Sequence, residues 1–150
     1  MTDLAPGMLP WSDALADASW FHTTGITPAL SASAAEATIE AAALAHASGI
    51  SVSVDLNYRA RLWNWGEAPG TVMTRLQQHA DVAVGNEEDA ERVFGISTDG
   101  VDVTAGRVDG GAYASVARQL VDRFPNLRGR GVHGPGVHLG KREHLDRVLW

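Results

Sequence analysis

The 150-residue chain is 45% hydrophobic, carries a net charge of −6 and has no cysteine, which suits one ordinary globular domain with a core leaning on Ala and Val. Its 12 Lys and Arg against 18 Asp and Glu exclude non-specific binding to nucleic acid or an anionic membrane, since both need a basic surface. Disulfides and thiolate metal sites are excluded too; no apolar stretch approaches the ~20 residues of a membrane span, and Met1-Thr2-Asp3-Leu4 lacks the basic start of a signal peptide, so a soluble cytoplasmic protein is expected.

Asp13 to Ala18 reads as a short helical turn, and Trp20 to Thr24 as a strand closed by Gly25 and the Thr27-Pro28 break. Ser33 then caps an Ala-rich helix running to about Ser48, with Glu36 at the capping-box position and Gly49 as its stop. A strand at Ser51 to Leu56 follows, then a loop rich in Trp and Pro. Val72, Leu76 and Ala80 share one face of a helix from about Thr71 to His79, and Val82 to Gly85 is the next strand. Glu87 to Phe94 is a helix stopped by Gly95, and Tyr113 to Phe124 is another, with Val116, Leu120 and Phe124 in register. The order βαβαβα implies an α/β fold with a parallel sheet and right-handed crossovers. Three strands are few for such a sheet and no further strand covers either edge, which predicts the central part of something larger.

Polar chemistry gathers at the ends of two strands. Ser51 to Leu56 runs into Asn57-Tyr58-Arg59 with Trp63 beyond, and Val82 to Gly85 runs into Asn86-Glu87-Glu88-Asp89. Open α/β sheets place ligand-handling side chains at such carboxyl ends. Two plainer explanations stand beside this: Asp55 and Arg59 could simply pair across the loop, and Asn86 with Asp89 is also a good helix N-cap. Three other features carry little. The histidines His22, His46, His79, His133, His138 and His144 show no convincing helical metal spacing. Gly129-Arg130-Gly131-Val132-His133-Gly134 lacks the strand before it and the helix within it that a dinucleotide site needs, and Gly140-Lys141-Arg142 lacks the rest of a phosphate loop.

Trp20-Phe21-His22-Thr23-Thr24-Gly25-Ile26-Thr27-Pro28-Ala29-Leu30, Ser53-Val54-Asp55-Leu56-Asn57-Tyr58-Arg59 with Leu62-Trp63, and Gly85-Asn86-Glu87-Glu88-Asp89 resemble, in order and spacing, the central part of ribokinase-like (PfkB) sugar kinases. The 2-keto-3-deoxygluconate kinases are the nearest in pattern, over roughly Leu4 to Leu127. The resemblance implies an incomplete ribokinase-like three-layer α/β/α parallel sheet, and transfer of the γ-phosphoryl group of ATP, with Mg2+, to a hydroxyl of an acidic keto-sugar. Kinases of fructose, ribose or nucleosides share that architecture, and a non-catalytic remnant is the alternative of a different class. The implied sugar contacts are Gly25, Ile26, Asn57 and Arg59, a guanidinium being suited to hold a carboxylate by two parallel bonds. Asn86, Glu88 and Asp89 are implied to lie near magnesium and the phosphates, with no direct protein ligand to the metal. Asp89 departs from the family pattern, which has Glu there.

The family's catalytic base belongs to a Gly-Ala-Gly-Asp segment that the sequence lacks, so no catalytic residue is expected and the chain by itself is expected to be inactive. Residues 1–127 are taken as the kinase-like part and 128–150 as a divergent tail. Pro135 to Trp150 can be encoded so that a one-base shift reads Arg-Glu-Ser-Ile-Ser-Ala-Ser, similar to the family's next segment. A frameshift origin is the expectation for the tail and a divergent loop the alternative.

Overall fold

The computed structural model describes residues 4–97 and 110–127. Their elements run α1 (Trp11–Leu15), β1 (Trp20–Thr24), α2 (Ile26–Ala29), α3 (Ala32–Ala47), β2 (Ser51–Asp55), α4 (Pro69–Gln77), β3 (Val82–Val84), α5 (Glu87–Phe94) and α6 (Gly110–Arg123). The strands pair in parallel in the order β1-β2-β3, with Thr24 opposite Asp55 and Asp55 opposite Val84. All three carboxyl ends therefore finish level, on one rim.

Sequential strand order with crossovers of one hand puts α3 and α4 on the same face of the sheet, and α3 packs on α4, α4 on α5 and α5 on α6. Val52, Val54 and Ala83 lie buried in the core with Leu56, Val72, Met73 and Leu76, and α6 adds Val116, Leu120 and Phe124. Trp20, His22, Thr24, Ser53 and Asp55 alternate with these core residues and belong to the opposite face. There the Ser53 hydroxyl takes a hydrogen bond from Trp20 Nε1 at 2.8 Å and meets His22 Nδ1 at 2.7 Å.

Several boundaries differ from the sequence expectations. Helix α1 lies at Trp11–Leu15 rather than 13–18, because Trp11 meets Phe21 edge to face with centroids 6.4 Å apart. The expected break at Thr27-Pro28 is the short helix α2; Pro28 falls in its first turn, where a backbone N–H has no helical partner to lose. The cap of α3 is Ser31, whose Oγ accepts from the Ala34 N–H at 3.1 Å, and Ser33 instead meets the Ser31 hydroxyl. Moving the cap takes Glu36 out of capping-box position. Its carboxylate accepts two hydrogen bonds from Arg75 of α4, at 2.5 and 2.7 Å. Helix α4 starts at Pro69, not Thr71, because proline is preorganised for the first helical position. Helix α5 and its stop at Gly95, with φ of 68°, are as expected. Residues 128–150, and with them the glycine pattern, three of the histidines and the frameshift expectation, lie outside the described residues.

Candidate functional site

The rim begins at Gly25, whose N–H donates to the Asp55 carbonyl at 2.7 Å. A Cβ at this position would overlap the Leu56 carbonyl oxygen, so only glycine lets the end of β1 lie so close to the end of β2. Leu56 N–H in turn donates to the Val84 carbonyl at 2.7 Å, which carries the lacing across to β3. Just past Leu56 the chain turns through Asn57, a non-glycine residue with φ of 33°; asparagine tolerates this left-handed geometry better than most. Its side-chain amide donates to Thr24 Oγ1 at 3.3 Å, and Ile26 N–H reaches the same hydroxyl at 3.4 Å.

The β3 end joins this network through Asp89. Asn86 caps α5 by accepting from the Asp89 N–H at 2.7 Å, and the Asp89 carboxylate accepts from the Tyr58 N–H at 3.0 Å. Glu88 points outward and pairs loosely with Arg92 at 3.8 Å. Arg59 is exposed, with Nη1 donating to the Tyr58 carbonyl at 2.9 Å. Tyr58, Arg59, Ala60, Arg61, Glu88 and Arg92 line an open hollow of about 440 Å³. The loop beyond is anchored by Trp65, whose Nε1 donates to the Ala29 carbonyl at 3.1 Å, and by a 6.0 Å contact between the Trp63 and Trp65 rings.

Asp55 sits half-buried beside this network. Burial pushes its carboxyl above the usual aspartate range and the Asp89 charge pushes it further, against a backbone hydrogen bond from Asn57 and the charges of His22 and Arg59. Among the described residues no ion pair joins Asp55 to Arg59, so the plain pairing across the loop is not what holds Arg59.

The structure thus brings Gly25, Ile26, Asn57, Asn86 and Asp89 into one hydrogen-bonded rim and leaves Arg59 and Glu88 facing solvent around a shared hollow. The Gly25 N–H is occupied by Asp55, which removes it as a donor to a ligand. The N-cap role of Asn86 is real, and Asp89 does more than complete a first turn. Sequence reasoning missed the Asp89–Tyr58 bond and the approach of Arg61 and Arg92 to Arg59. The Arg59-x-Arg61 spacing was visible, but only the parallel pairing of β2 with β3 reveals that α5 faces it.

No family model matches the chain. It is 38% identical over 87 residues to a 2-dehydro-3-deoxygalactonokinase of Haloferax volcanii, covering 58% of this chain and 27% of that protein. The crystal structure of a 2-dehydro-3-deoxygluconokinase from Thermotoga maritima superposes with a TM-score of 0.70 at 37% identity, over 83% of this chain and 35% of that one. A PfkB family carbohydrate kinase from Listeria grayi gives a TM-score of 0.64 at 26% identity, over 81% of this chain and 33% of that one. The chain spans about a third or less of the length of each of these relatives.

Proposed function

We propose that this chain, a partial homologue of the PfkB-family carbohydrate kinases, supplies the sugar-facing middle of an ATP-dependent kinase acting on an acidic keto-sugar of the 2-keto-3-deoxygluconate (2-dehydro-3-deoxygluconate) type. The observation that carries the reading is the level rim of three parallel strand ends, where the laced residues Gly25, Asn57 and Asp89 present the exposed Arg59 beside an open hollow. A guanidinium placed at such a rim suits a carboxylate, because paired N–H groups fix both charge and orientation.

The same reading brings ATP and magnesium to this rim. Among the described residues no group of three or more His, Cys, Asp or Glu converges to hold a metal ion. Magnesium keeps several waters and binds largely through substrate phosphates, so Asn86, Glu88 and Asp89, the residues that the resemblance puts near it, would meet it through water. When bound, magnesium with ATP supplies charge neutralisation on the transferred phosphoryl group. The rim residues only position and screen; no described residue takes the proton of the sugar hydroxyl.

The purified chain is expected to show no sugar-dependent ATP turnover. With flanking portions restored from a full-length relative, Arg59→Ala is expected to weaken use of the acidic sugar by about 1.5–3 kcal/mol, the range of a charge-assisted hydrogen bond, and to affect ATP much less. Equal losses for sugar and ATP, or a preference for a neutral hexose over the sugar acid, would overturn the reading.

A further inference from the structure

Asp89 begins α5, yet its carboxylate does not stay on its own helix. It reaches a backbone N–H that lies 31 residues away in sequence, at Tyr58, with a separation of 3.0 Å. The neighbourhood it enters is electrostatically unfavourable, because its charge helps push the half-buried Asp55 carboxyl upward. An acid serving only the helix dipole gains nothing by approaching another carboxylate. The gain lies in the peptide that it holds.

That peptide sits at a critical turn. Leu56 N–H is fixed to Val84 and Tyr58 N–H to Asp89, so β3 and α5 grip the chain on both sides of the left-handed Asn57. On the other side of Tyr58, its carbonyl accepts from the Arg59 guanidinium at 2.9 Å. A single residue, held at its N–H by Asp89 and at its C=O by Arg59, thus connects the two side chains. Asn86 fixes the start of this relay by capping the Asp89 N–H at 2.7 Å.

We propose that Asp89 is a positioning residue: by clamping the Tyr58 N–H it sets where the Arg59 guanidinium stands, and so ties sugar-acid recognition to the β3–α5 junction. The proposal rests on the reading of Arg59 as the sugar-acid contact. It also gives the shorter aspartate side chain a reason to stand here. With the helix start fixed by Asn86, a glutamate would carry its oxygens one methylene past the Tyr58 N–H.

The test uses the 15N-labelled 150-residue chain. The Tyr58 amide proton, hydrogen-bonded to the Asp89 carboxylate in the wild-type chain, is expected to move upfield in Asp89→Ala, which removes the acceptor, and to move in Asp89→Glu. The Arg59 Nε–H resonance is expected to move in Asp89→Ala and in Asp89→Glu, and to stay near its wild-type position in Asp89→Asn, which keeps an acceptor oxygen. Titration with 2-keto-3-deoxygluconate is expected to show roughly fivefold weaker binding in Asp89→Ala, a loss that disappears when Arg59→Ala is already present. An unmoved Tyr58 amide, an unmoved Arg59 signal, or additive losses in the double variant would each overturn the clamp. If Asp89→Ala fails to fold, Asp89→Asn and Asp89→Glu still decide through the two resonances. Failure of the wild-type chain to bind the sugar acid would overturn the sugar-acid assignment of Arg59, while the resonances report separately on the clamp.

Discussion

The two rims of the small sheet are tied by the same kind of bond to opposite effect. At the amino ends of the strands, Asp81 exchanges two hydrogen bonds with Val52, from its N–H at 2.8 Å and to its carboxylate at 3.0 Å. Nearby, the Asn126 amide closes the end of α4 by donating to the Gln77 carbonyl at 2.9 Å and to that of Ala80. These contacts satisfy backbone groups that a helix end would otherwise leave open. At the carboxyl ends the lacing through Gly25, Asn57 and Asp89 is just as dense, but it forces an aspartate pair together and leaves Arg59 facing outward. One rim completes the fold, and the other holds side chains in positions that stability alone would not select.

The sharpest way to break the contrast is at Gly25. Its φ of −61° is ordinary, so the demand is for space alone, and Gly25→Ala drives a methyl into the Leu56 carbonyl. Overpacking of this kind costs roughly 2–3 kcal/mol, and denaturant unfolding is expected to show a loss of that size. A loss within a few tenths of that for an exposed surface alanine would mean that the tips are not rigidly laced.

The amino-end rim offers two smaller tests of opposite sign. Asn126→Ala removes both donors from the end of α4 and is expected to cost about 1–2 kcal/mol. Gln77, fully buried, has no partner for its side-chain amide among the described residues. Gln77→Met fills the space without the polar atoms and is expected to stabilise by about 1 kcal/mol. Destabilisation by Gln77→Met would show that this amide is satisfied in solution.

Much of this architecture was legible in the chain. Trp20–Thr24 matched to the residue, and β2 and β3 each ended one residue early, because runs such as Val52 and Val54 can only be buried strand and the stops at Gly49 and Gly95 require left-handed backbone. The cap of α3 was misplaced because Ser31 and Ser33 are chemically equivalent caps, and Glu36 could face either its own helix or Arg75; packing of α3 on α4 decided it. Strand ends marked where polar chemistry gathers and the family resemblance put candidate roles on its residues, but neither gave their bonds. That Asp89 meets Tyr58 depends on the alignment of β2 with β3, which no local pattern encodes.

The electrostatic part of the contrast is open to pH. Asp55 is held above its ordinary value of 3.8, by burial first and by the Asp89 charge second, so the folded chain binds that proton more tightly than the unfolded one. The resulting penalty is absent below the ordinary value, grows as pH rises through the folded value and is complete at neutral pH. Asp55→Asn is therefore expected to raise Tm at about pH 7 and to leave it unchanged at about pH 3. An equal gain at both would assign the effect to packing.

The smallest effect is expected on the opposite rim, where the like charges are cationic. The His46 and His79 rings lie 6.2 Å apart, at the ends of α3 and α4. His79 is held below its ordinary 6.5, first by burial and second by the His46 charge. The folded state thus favours neutral His79; its contribution is complete above the ordinary value and is lost as pH falls from there through the folded value. His46→Gln removes the repulsion but not the burial. The His79 ring signal is expected to titrate closer to 6.5 without reaching it, with a slightly smaller loss of stability in mild acid and no change above neutrality. An unmoved His79 titration would leave burial as the only cause and confine like-charge tension to the rim that carries Arg59.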